Sequence, residues 1–97
     1  MAQTLTTPIV ASHGVHNDMD ADIMFRVHVA RSLHRFNAKD WGESKDTKLN
    51  NSDPKNAMGV YTIPKGEQQV TIWIKADDYQ GMDGIDYVRT ILYPSEY

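Results

Sequence analysis

The sequence contains no cysteine. Disulfide bridges and thiolate metal sites are thereby excluded, which suits a reducing compartment such as the cytoplasm. No apolar run approaches the roughly 18 residues of a membrane-spanning helix. The opening, "MAQTLTTPIVASHG", lacks the basic region and apolar stretch of a secretory leader. Catalytic signatures are missing as well: there is no G-x-S-x-G elbow, no S-x-x-K and no G-x-x-x-x-G-K phosphate cradle. Ser12 beside His13 is adjacency alone, and no motif implies a cofactor. Strong charge is also absent, since Lys and Arg number 10 against 13 Asp and Glu, a net −3. That argues against a general nucleic-acid binder, whose surface is normally basic.

What is present is a chain of 97 residues with an apolar fraction of 40% and a charged fraction of 24%. These values describe one globular domain, and a chain of this size buries about two-thirds of its unfolded surface. Residues 7–12, "TPIVAS", read as a short strand with Pro8 at its start. "HGVHNDMDAD" follows as turn and cap residues. From Asp20 to Phe36 the sequence has neither Gly nor Pro. At about 100° per residue, Phe25, Val29, Leu33 and Phe36 share one stripe, with Ile23, Val27 and Ala30 widening it. Met24, His28, Arg31 and Arg35 lie opposite. Asn17, Asp18 and Asp20 are candidate N-caps, Asp20 and Asp22 suit the helix dipole, and Asn37 suits a left-handed stop.

Residues 37–57 form a long polar segment that Trp41 pins to the body and in which a short helical turn fits. Three strand patterns follow. "GVYTIP" leads through "PKGE" to "QQVTIWIKA", in which Val70, Ile72, Ile74 and Ala76 face one way and Gln69, Thr71, Trp73 and Lys75 the other. "DYVRTILYP" closes the chain after the loop "DDYQGMDGI". Short connections favour an antiparallel meander. The predicted fold is α+β, with one main helix packed on a three- to four-stranded antiparallel sheet. Trp73, Tyr87, Arg89 and Tyr93 are expected on the face opposite the aliphatics, covered by the 37–57 segment or by a partner, since Trp, Tyr and Arg favour binding hot spots. The edge of the terminal strand is a further candidate surface, for a homodimer.

Other clusters carry weaker chemistry. His13 and His16 with Asp18 and Asp20 have metal-ligand character, but spacing completes no ligand set. "DMDAD" opens like a calcium loop, yet the twelfth position is Val29 rather than Glu. Asp77, Asp78, Asp83 and Asp86 read as hairpin-turn acids, or as a lure for a basic partner. Arg26, Arg31, Arg35 and Lys39 make a basic strip suited to phosphates or to solvent.

Three groups of residues define a resemblance: Asp40-Trp41-Gly42 after the helix; Ile72-Trp73-Ile74 before the acidic pair Asp77 and Asp78; and a closing strand ending in Leu92, Pro94, Glu96 and Tyr97. In this order they are similar to a family of small proteins labelled plasmid-related, found on bacterial plasmids and other mobile elements. The resemblance covers roughly residues 29–97. The acidic loop is longer here, and His13 is not part of the pattern. It implies a mobile-element setting and no reaction. The expectation is a non-catalytic protein-binding accessory that inhibits a host CRISPR or restriction complex by occlusion, with Trp73, Arg89 and Tyr93 and the four loop acids as contacts. The alternatives are a nucleic-acid-binding plasmid-maintenance protein and a metal-dependent enzyme using His13 and His16.

Overall fold

A computed structural model describes residues 9–78 and 87–97. The elements in order are β1 (Ile9–Ala11), α1 (His13–Ala21), α2 (Ile23–Asn37), α3 (Thr47–Ser52), β2 (Met58–Lys65), β3 (Gln68–Asp78) and β4 (Tyr87–Leu92). Short 3-10 turns lie at Pro54–Asn56 and Pro94–Glu96. The architecture is α+β, as predicted, but the sheet is mixed. Its order is β1-β4-β3-β2, with β1 parallel to β4 and the other pairs antiparallel. Local connection explains the difference. The turn at Gly66, whose φ is +61°, closes β2 onto β3 as a hairpin. β1 instead leads into two helices and meets the last strand from outside. β4 is therefore an inner strand over Arg89–Ile91, and the expected free edge for a homodimer belongs to β1.

The stretch read as turn and cap residues is the helix α1. Ser12 caps it, its Oγ accepting from the Val15 amide at 3.3 Å, and Val15 is fully buried. A helix this short is marginal alone, and its support is remote. Glu96 accepts from Ser12 Oγ at 2.6 Å and from the Gly14 amide at 3.0 Å, placing a carboxylate at the positive helix end. Those hydrogen bonds, with one from the Tyr93 amide, hold the Glu96 carboxyl below its ordinary range. Asn17, Asp18 and Asp20 lie within α1. The N-cap of α2 is Asp22, which accepts from the Met24 and Phe25 amides.

Phe25, Val29 and Phe36 bury one face of α2 as expected, joined by Ser32, whose hydroxyl donates to the His28 carbonyl. Ile23, Val27 and Ala30 do not widen that face and are exposed on the other side of the helix. The left-handed residue after α2 is Lys39, at φ 63°, rather than Asn37, which is still helical.

Residues 40–57 are held by their polar side chains. Asp40 accepts from Arg35 through Nε and Nη2 and from the Gly42 amide, which together hold its carboxyl below the ordinary range. Trp41 is buried, edge-on to Phe36 at 5.2 Å, and donates from Nε1 to Asn51. Gly42 has φ +64°, and a Cβ there would stand 2.1 Å from the Val60 carbonyl oxygen. The backbones of Trp41 and Glu43 bond both backbone groups of Val60. Asn50, buried on α3, accepts from the Met58 amide and donates to the Met58 carbonyl, pairing like a strand residue. The edge of β2 is thus occupied along its first half.

Candidate interaction surface

Residues directly opposite on paired strands share a sheet face. The pairs Ile74↔Ile91 and Ala76↔Arg89 put Arg89 on the helix-covered face with the buried aliphatics, whereas Trp73↔Leu92 points the other way. This corrects the expected grouping. Arg89 is 7% exposed and donates to the Asn37 side chain at the end of α2. Tyr93 packs against Phe25 at 6.4 Å and donates to Asp18, with Lys65 2.9 Å from the same carboxylate. Burial and the Asp18 charge push the Tyr93 phenol well up, while Tyr93 and then Lys65 hold Asp18 down. That triad ties α1 to the sheet.

Trp73 lies on the second sheet face, half-buried, with the ring of Tyr97 edge-on at 5.5 Å. The tail thus folds back: Glu96 latches to α1 and Tyr97 stands over Trp73. Asp77 pairs with Lys75 at 2.8 Å, and the Asp78 amide donates to Asn56. Asp83, Asp86 and the Tyr87 side chain lie outside the described residues. The expected contact set is therefore divided: Trp73 and Asp77 on one face, Arg89 and Tyr93 on the other.

The metal constellation is also divided. His16 stands 3.3 Å from Asp20, and Asp18 is engaged with Tyr93 and Lys65. Among the described residues no group of three His, Asp or Glu side chains is placed to hold an ion. Of the basic strip, Arg35 is taken up by Asp40 and lies over the Tyr61 ring, and Arg26 faces Asp20 at 3.5 Å. Arg31 and Lys39 are exposed, with no ion-pair partner among the described residues.

The surface that stands out is the outer face of α2. Ile23 is 72% exposed and Val27 37%, and Ala30 continues their line one turn on; Met24, 57% exposed, stands about 100° round the helix from Ile23. Around the helix, Ile23, Val27, Ala30 and His34 lie about 180° from Phe25, Ser32 and Phe36. Val27, Ala30, Arg31, His34 and Arg35 line an open apolar depression of about 540 Å³. Between Ile23 and Lys39 there are four Lys or Arg and no acid. Since the chain carries −3, the remaining residues carry −7. This face was legible in outline: the same projection that groups Phe25 with Phe36 puts Val27 and Ala30 far from them. Apolar character alone assigned them to the core.

No protein-family model, curated protein or solved structure matches this chain. Among the described residues no helix is long and apolar enough to cross a membrane.

Proposed function

We propose that this protein works by binding a protein partner through the outer face of α2, and that it inhibits by covering the partner's working surface. One observation carries this: large apolar side chains, Ile23 and Val27 in line with Met24 to one side of them, stand exposed away from a core that the same helix completes with its other face. Leaving such side chains in water forgoes roughly 1.5–3 kcal/mol each, and an apolar stripe ringed by charge is a common form of protein-binding site. The polar clusters fit this reading, because they serve the fold: Asp18 with Tyr93 and Lys65 clamps α1, and Glu96 latches the tail.

The partner class follows from the resemblance to proteins of mobile elements: host complexes directed against incoming DNA, of the CRISPR or restriction type. The test mixes the purified protein with such complexes and measures both binding and DNA cleavage, for wild type and Val27→Asp. Binding that blocks cleavage and is lost in the variant supports the proposal. Uninhibited cleavage throughout removes the anti-defence role, and capture unchanged by Val27→Asp removes the surface.

A further inference from the structure

Resting on that protein-binding reading, we infer that the partner element seated on α2 is an acidic amphipathic helix, packed in coiled-coil fashion. The spacing of the exposed stripe is the first ground. Ile23, Val27, Ala30 and His34 follow one another at intervals of four, three and four residues, the alternation of d and a positions along a heptad seam. The seam is about 17 Å long at 1.5 Å per residue, three turns of helix.

The shape of the surface is the second ground. The apolar depression is framed by Val27, Ala30, Arg31 and His34, at i, i+3, i+4 and i+7. Four residues so spaced form the hole into which a facing helix inserts one side chain. Ala30 is the smallest side chain of the four, which suits the entry of a branched aliphatic knob. An extended peptide presents alternate residues in a plane and has no periodicity to match these intervals.

Charge is the third ground, and it selects the partner's sign. The positions flanking the seam hold Arg31 on one side, exposed and with no ion-pair partner among the described residues, and on the other Arg26, exposed and 3.5 Å from Asp20. Flanking positions in such pairs carry the salt bridges that decide partner and orientation. A second copy of this chain is disfavoured. A parallel pair sets Arg26 against the Arg31 of the other helix, and antiparallel pairing offers these arginines no acid either. Glutamates at the corresponding positions of a partner supply Arg31 with an acid and give Arg26 a second one beside Asp20. The apolar centre of the seam disfavours a phosphate backbone, which offers no apolar group to cover Ile23 and Val27.

The full-length protein, labelled with 15N, is titrated with three-heptad synthetic peptides bearing Leu at a and d. One carries Glu at the flanking positions and the other Lys. Phosphatidylglycerol vesicles and duplex DNA are titrated in parallel, and the protein alone is sedimented. The Glu peptide is expected to bind with micromolar affinity, shifting amides of residues 23–34 and leaving those of β3 unmoved. Val27→Asp is expected to weaken it by at least about tenfold, a change of ~1.4 kcal/mol. The double variant Arg26→Glu, Arg31→Glu is expected to prefer the Lys peptide. These side chains are exposed, so unchanged thermal melting shows that the variants fold. Equal binding of both peptides overturns the inference. So does binding of vesicles or DNA without the Glu peptide, or self-association abolished by Val27→Asp. If the Glu peptide fails while Val27→Asp still blocks capture of a defence complex, the helical partner is wrong and the binding surface stands. If Val27→Asp affects neither, both are wrong.

Discussion

Replacing Trp41 by alanine tests the internal logic of the fold most directly. Trp41 joins the 40–57 segment to the helix layer, with its ring buried edge-on to Phe36 at 5.2 Å and its Nε1 2.9 Å from Asn51. Truncating a buried Trp or Phe to Ala costs about 3–5 kcal/mol, including the cavity left behind. The edge-to-face contact is part of that loss, and the Asn51 hydrogen bond adds little because Asn51 is exposed and regains water. In a domain of this size 1 kcal/mol moves Tm by roughly 4–8 °C, so Trp41→Ala is expected to lower Tm by about 12–40 °C. The internal control is Trp73→Ala, since these are the two tryptophans of the chain. Trp73 is half-buried beneath Tyr97 on the second sheet face, and its loss is expected to cost about 1–2 kcal/mol. Melting followed by circular dichroism at matched concentration reads both. Equal shifts, or a larger one for Trp73→Ala, would refute the assignment of Trp41 to the core and Trp73 to the surface.

Other perturbations probe the remaining joints. Asn50→Leu leaves the amide and carbonyl of Met58 without the side chain that now satisfies both; a loss of about 2–4 kcal/mol is expected, together with faster exchange of the Met58 amide. Gly42→Ala is expected to destabilise more than Gly66→Ala in urea. Both glycines have positive φ, but only at Gly42 does a Cβ meet backbone, the Val60 carbonyl at 2.1 Å, while at Gly66 it meets nothing within 4 Å. Acid should unfold the protein progressively. Asp18, Asp40 and Glu96 have folded-state values below their ordinary 3.8, 3.8 and 4.5. The unfolded chain therefore takes up protons first as pH falls. Their contribution is complete above the ordinary carboxylate range and disappears below it. Urea midpoints measured from neutral pH to pH 3 are expected to be flat and then to drop; a rise on acidification contradicts the hydrogen bonds assigned to these carboxylates.

The resemblance-bearing residues show how far sequence reaches. Asp40-Trp41-Gly42 was legible as an anchored element, and each of its residues serves the fold. Asp40 fixes Arg35, Trp41 fills the core beside Phe36, and Gly42 lets the chain approach Val60. The tail was legible as a strand ended by Pro94, but not as a latch. Glu96 stabilises a helix whose N-cap lies 84 residues earlier, and no local pattern announces such a pairing.

What the sequence determined by itself is what depends on neighbours along the chain. The absence of Gly and Pro and the apolar spacing from Phe25 to Phe36 make α2. The alternation from Val70 to Ala76 makes β3, and Gly66 makes the hairpin turn. Alternation separates two sets of side chains without saying which set of the next strand joins each one. That required the register Ala76↔Arg89, set by tertiary packing, which turned Arg89 and Tyr93 inward and left Trp73 outside. In the same way the helical period defined two apolar groups on α2. Only the position of the sheet decided that Phe25, Val29 and Phe36 are core while Ile23, Val27 and Ala30 face away, because a helix lying on one sheet has a single side to bury.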